Sequence, residues 1–133
     1  REFSGCSNLR EVVLNVGLQK IGPFAFNDCT LLKRITLPST LTEIGDNAFK
    51  SCSNLNEVVF NEGLQKIEFC AFYECTSLQS ITLPSTVTEI GNNAFEDCSN
   101  LREVELNGVP QYIKSEAFYL CDTLERFLFS TIS

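Results

Sequence analysis

Apolar positions in this 133-residue chain recur at fixed distances. Counting from Cys6, Cys29, Cys52, Cys75, Cys98 and Cys121, which stand 23 residues apart, a leucine follows three residues on, at Leu9, Leu32, Leu55, Leu78, Leu101 and Leu124. Six residues on stand Val12, Ile35, Val58, Ile81, Val104 and Phe127, and eight on stand Leu14, Leu37, Phe60, Leu83, Leu106 and Phe129. The closing spacing of two predicts a short strand with alternate residues inward. Two kinds of turn end it: Asn15-Val16-Gly17 and Asn61-Glu62-Gly63 bend through glycine, whereas Pro38-Ser39-Thr40 and Pro84-Ser85-Thr86 bend at a proline that also ends the ladder. Leu18, Leu41, Leu64 and Val87, each three residues before an isoleucine, predict a second short inward segment. Gly22, Gly45 and Gly91 then lead toward an Ala-Phe pair that recurs at 25, 48, 71, 94 and 117. That pattern predicts a turn into one 3₁₀ or helical turn that drops its phenylalanine inward. Glu68 and Lys114 share the glycine column, so a positive φ there is not an absolute requirement.

The chain is therefore a repeat array, and its period of 23 lies within the roughly 20 to 29 residues of leucine-rich repeats. One such unit cannot bury its apolar side alone; stacked neighbours supply the core. The expected architecture is an α/β solenoid. Its parallel strands stack at about 4.7–4.9 Å into a sheet on the concave side, with short strands and 3₁₀ or helical turns on the return side. Residues 1–133 are read as a single domain of about five full coils with partial end coils, a fragment of a longer array.

Ile35 to Phe49 returns almost letter for letter at Ile81 to Phe95, and Glu11 to Ile21 returns at Glu57 to Ile67. This 46-residue super-repeat alternates charge along stacked positions. One column reads Glu11, Arg34, Glu57, Ser80, Glu103, Arg126, and another reads Lys20, Glu43, Lys66, Glu89, Tyr112. Opposite charges on neighbouring strands stabilise by roughly 0.2–1 kcal/mol, so each coil type suits its neighbours. Coil five departs: Asn107-Gly108-Val109-Pro110 moves the glycine one place earlier and predicts a distorted loop. Phe127-Leu128-Phe129 runs into residues 130–133 without the polar cap expected at a solenoid end.

Composition removes several classes of function. Net charge is −7 with no basic run, which argues against nucleic acid and anionic membrane surfaces. No apolar run approaches the about eighteen residues of a membrane span. There is no histidine, which removes Ser-His-Asp and Cys-His nucleophiles and most zinc sites. A cysteine at one phase of every repeat reads as a small buried hydrophobe rather than a disulfide framework or a metal ligand. Cys70 is out of phase, between Phe69 and Ala71. It is expected to be partly exposed, with Glu68 and Glu74 opposing thiolate formation. Asp28, Asp46, Glu74, Glu96 and Asp97 lack the spacing of a calcium loop and read as a solvated acidic face. No catalytic, cofactor or metal residue is assigned.

The columns together spell Cys-x-x-Leu-x-x-Ile-x-Leu-Pro-x-x-Leu-x-x-Ile-Gly-x-x-Ala-Phe. Over residues 3 to 129 the chain resembles the BspA-type, or treponemal-type, leucine-rich repeat, most clearly in LPSTLTEIGDNAF at 37–49 and LPSTVTEIGNNAF at 83–95. The resemblance implies a right-handed solenoid and a surface or secreted protein that adheres to host or matrix proteins. It carries over no binding residues. Asn-x-Gly turns at 15 and 61, in place of Leu-Pro, depart from the pattern.

Two surfaces are candidates for protein binding. Glu11, Val13, Arg34, Thr36, Glu57, Val59, Ser80, Thr82, Glu103 and Glu105 alternate with buried letters and should line the sheet side. Phe24, Phe69, Tyr73, Tyr112 and Tyr119 fall on turns and return segments, where exposed aromatics mark contacts. The expected role is a non-catalytic interaction and adhesion segment with a protein partner. The alternative is a structural module whose copies stack end to end into a rod or filament.

Overall fold

The computed structural model describes residues 3–130. Residues 1–2 and 131–133 lie outside the described part, and with them much of the expectation of an uncapped end. The described residues form ten short strands. These are β1 (Lys20–Ile21), β2 (Arg34–Thr36), β3 (Glu43–Ile44), β4 (Glu57–Val59), β5 (Lys66–Ile67), β6 (Ser80–Leu83), β7 (Glu89–Ile90), β8 (Glu103–Asn107), β9 (Tyr112–Ile113) and β10 (Arg126–Ser130). All pairings are parallel and step by one 23-residue coil, as in Ile35 against Val58 and Ile81 against Val104.

Where the sequence predicts one sheet, the chain builds two faces. The Leu-x-x-Ile segments, expected as short inward segments of the return side, pair with one another into the unbroken sheet β1-β3-β5-β7-β9. The face built from the predicted strands is divided into β2-β4 and β6-β8-β10. Residues 11–13 share the strand motif but form no strand.

The return segments are also corrected. Among the described residues there is no helix, so the α/β description reduces to a parallel β-solenoid with turns. In coil one the N–H groups of Ala25, Asn27 and Cys29 close turns on Gly22, Phe24 and Phe26 at 3.2–3.3 Å. The intervening N–H groups of Phe24, Phe26 and Asp28 instead donate to Asp46, Ala48 and Lys50 of the next coil at 2.7–2.9 Å. A helix needs every N–H for its own i−4 carbonyl, and here every second one is spent between coils. Two non-glycine columns consequently sit at φ of 56 to 62°, Phe24/Asn47/Cys70/Asn93/Glu116 and Asp28/Ser51/Glu74/Asp97/Leu120. Each such residue costs on the order of 1 kcal/mol, and the interior coil-to-coil bonds hold it in place.

Gly22, Gly45 and Gly91 are not in that region. What the structure requires at Gly45 and Gly91 is close approach. A Cβ on Gly45 would lie 2.7 Å from the Ile21 carbonyl oxygen, and one on Gly91 2.8 Å from the Glu68 carbonyl carbon.

Inside, Phe26, Phe49, Phe72, Phe95 and Phe118 stack in one column with centroids 5.1 to 5.3 Å apart, and Phe3 extends it at 5.4 Å. The phase-locked cysteines lie beside this spine as donors. Sγ of Cys52, Cys75, Cys98 and Cys121 donates to the carbonyl of Phe26, Phe49, Phe72 and Phe95 in the previous coil at 3.1 to 3.2 Å. The same carbonyls accept the N–H of Cys29, Cys52, Cys75 and Cys98, so each cysteine supplies the second partner of a buried oxygen.

The super-repeat has a physical basis beyond charge. The Gly17 N–H donates to Thr40 Oγ1 at 2.8 Å, and the Gly63 N–H donates to Thr86 Oγ1 at 3.0 Å. An Asn-x-Gly turn thus docks on the Pro-Ser-Thr turn of the next coil. In the first four coils a local bond closes the turn, for example Leu41 N–H to the Pro38 carbonyl. Pro110 has no N–H to make it in coil five, and Ile113 is 41% exposed where its four counterparts are buried.

Candidate interaction surface

On the divided face, alternate side chains of β2, β4 and β6 point outward: Arg34, Thr36, Glu57, Val59, Ser80 and Thr82 are exposed, while Glu103 and Glu105 of β8 are half-buried. Glu11 and Val13 also face solvent, although they lie outside any strand. Val13 is 90% exposed and Val59 46%. The charge column closes into ion pairs, Arg34 to Glu57 at 3.9 Å and Arg126 to Glu103 at 3.1 Å. Both pairs are exposed and each contributes less than about 1 kcal/mol. The face is a regular column of β-branched side chains beside a column of alternating charge.

The unbroken sheet makes a second face that sequence reasoning did not single out. Its charges meet at Lys20–Glu43, 3.9 Å, and Glu89–Lys114, 3.4 Å, and Lys66 stands in register with Glu43 and Glu89. Lys114 enters from the glycine column, not from the column read as alternating. Glu68, in that same column, lies among like charges. Burial and the carboxylates of Glu43, Glu89 and Asp46 push its carboxyl above the usual range. Because the folded value exceeds the unfolded one, the native state favours the protonated form, and stability present in acid is lost as pH rises through the folded value. Glu68→Gln is therefore expected to raise the stability read from urea unfolding at pH 7, by less than about 1 kcal/mol for so exposed a group, and to leave it unchanged at pH 3. An equal gain at both pH values would refute the charge argument.

The five aromatics do not converge. Tyr73 and Tyr119 share one return-side column two coils apart, with Lys50 Nζ 5.7 Å from the Tyr73 ring centroid. Tyr73 is half-buried, and Glu74, then burial, then Glu96 and Asp97 push its phenol up. Phe69 and Tyr119 are 47% and 53% exposed, and Phe24 is half-buried. Tyr112 is 54% exposed on β9, in register with Glu89.

Cys70, expected to be partly exposed, is buried. The next coil covers its turn, since the Cys70 N–H donates to the Asn92 carbonyl at 3.1 Å. Burial and Glu96 push its thiol up, against a smaller opposite effect of Lys50, which leaves it a poor nucleophile. Among the described residues no group of three or more Cys, Asp or Glu could hold a metal ion. No helix there is long and apolar enough to cross a membrane.

These features define a parallel β-solenoid of leucine-rich repeats, about five turns long, whose outward side chains form ladders one coil apart. The family is the BspA type leucine rich repeat region, which matches in six copies over residues 1–69 and 42–132, and the chain belongs to it. A leucine rich repeat protein of T. pallidum is similar at 33% identity and TM-score 0.74, over 80% of this chain and 50% of that one. A leucine rich cell surface protein of Faecalibacterium prausnitzii is similar at 27% identity and TM-score 0.78, over 88% of this chain and 31% of that one. A leucine-rich repeat protein of Bacteroides ovatus gives 25% identity and TM-score 0.54, over 84% and 43%. The chain thus spans half or less of each of these proteins. No curated protein matches it.

Proposed function

We propose that the chain is a non-catalytic protein-interaction segment of a larger surface or secreted repeat protein, which holds an extended partner along the face of the even-numbered strands. The observation that carries the reading is the solvent-facing column Val13, Thr36, Val59, Thr82, flanked by charges already in register. β-branched side chains at one-coil spacing offer dry contact, while the charges set orientation. The family supports protein binding, and the cell surface protein of F. prausnitzii supports the location.

Reversing Glu57 and Glu103 to lysine leaves a fold whose exposed pairs are individually weak but inverts the field along the face. Surface plasmon resonance against purified extracellular-matrix proteins should detect binding by the unmodified chain. The double variant should bind at least about tenfold more weakly, a change of about 1.4 kcal/mol. Absence of binding by the unmodified chain sinks the adhesion reading, and equal affinity of the variant sinks the choice of face.

A further inference from the structure

The ladder is open between coil one and coil two. Lys33 accepts a hydrogen bond from the Asn56 N–H at 2.8 Å, and the Leu37 N–H donates to Val59 at 3.0 Å, so the odd-numbered residues of this segment face coil three. By the pleat, the backbone groups of Arg34 and Thr36 face coil one. Among the described residues no backbone hydrogen bond joins 10–15 to 33–37. Coil one is nonetheless tied to coil two elsewhere, at Phe26 N–H to the Ala48 carbonyl (2.7 Å) and Thr42 N–H to the Gln19 carbonyl (2.8 Å). What remains is a recess of about 410 Å³ between residues 11–16 and β2, with Val13 and Val16 at its exposed side, 90% and 76% accessible.

Charge identifies the occupant. A second hollow adjoins the recess at Arg34 and is lined by Arg10, Glu11, Lys33 and Arg34, three cations and one acid, on a chain whose net charge is −7. We propose that this recess takes an extended acidic segment of a partner protein. Carboxylates of that segment meet Arg10, Lys33 and Arg34, and its apolar side chains cover Val13 and Val16. Arginine pairs with carboxylates in two-point geometry, and a strand edge with unpaired backbone groups captures extended peptides through main-chain bonds. The inference deepens the sheet-side reading by giving the partner's chemistry and end of contact, and it rests on that reading.

The test uses a fluorescein-labelled octapeptide of alternating Glu and Val, titrated with the full chain and read by fluorescence anisotropy at low salt. Saturable binding is expected, weakened at least tenfold in Arg10→Glu/Lys33→Glu and by moderate salt, and absent for the Lys-Val octapeptide. Arg10→Gln/Lys33→Gln should fall between, and a thermal melt of each variant shows that it is folded. No binding, equal binding of the Lys-Val peptide, or unchanged affinity in the folded Glu variant overturns the proposal. The two readings fail separately. Peptide binding without any matrix-protein binding leaves the recess standing and removes the adhesion reading. Matrix binding that depends on Glu57 and Glu103, with no peptide binding, removes the recess alone.

Discussion

Above pH about 9 the chain is expected to lose stability at about 4 kcal/mol per pH unit through three thiols, Cys52, Cys75 and Cys98. All three are inaccessible to solvent. Burial, followed by neighbouring thiols, pushes Cys52 up to about 12 and holds Cys75 and Cys98 well above the ordinary thiol range. A folded value above the unfolded one means that the contribution is complete below about pH 9 and is lost as pH climbs toward the folded value. Each thiol that ionises only on unfolding costs about 1.4 kcal/mol per unit. Against a typical stability of about 5–15 kcal/mol, each such pH unit removes a substantial share. Urea midpoints measured with reductant at pH 8, 9, 10 and 11 should fall steeply. Cys75→Ser keeps a donor for the Phe49 carbonyl but cannot ionise in this range, so it should remove about 1.4 kcal/mol per unit from that slope. Lysines and tyrosines titrate in the same range, and an unchanged slope in the serine variant would assign the effect to them.

Truncating the spine should be as damaging at neutral pH. Phe72 is inaccessible and stacks between Phe49 at 5.2 Å and Phe95 at 5.1 Å, with Phe60 edge-on at 5.7 Å. Phe72→Ala is expected to cost about 3–5 kcal/mol, because coil-to-coil bonds on both sides hold the neighbouring rings apart and keep the cavity from collapsing. Phe118→Ala should cost less, since Phe118 is only half-buried. Repeats contact only their neighbours, so the damage is local to the third coil and the adjoining coils. Thermal unfolding of Phe72→Ala followed by circular dichroism should therefore show a lower and broader transition, and a melt identical to the unmodified chain would mean that the stack adds nothing.

Much of this molecule was legible in the chain because a solenoid turns sequence period directly into spatial register. Once the coil is 23 residues, Arg34 must stand over Glu57 and Phe49 over Phe72, and the observed pairings follow. The outward column from Thr36 to Thr82 was legible for the same reason. That residues 11–13 form no strand was not legible, since their motif matches that of β4 and nothing local shows that coil one stands off β2. Short strands on the return side were legible, but not their pairing into one unbroken sheet, because a two-residue strand carries no periodicity of its own.

The sequence by itself therefore determined the repeat, the core columns, the charge register and the family, all of which depend on spacing alone. Tertiary structure decided which N–H groups serve the local turn and which serve the next coil. That division puts Phe24 and Asp28 in left-handed geometry, excludes a helix and makes Cys29, Cys52, Cys75, Cys98 and Cys121 donors to phenylalanine carbonyls. It also buries Cys70 and leaves the edge of β2 open. The reason is physical: spacing specifies which residues stack, but a hydrogen bond between coils exists only when two backbones, each correct by itself, meet at bonding distance.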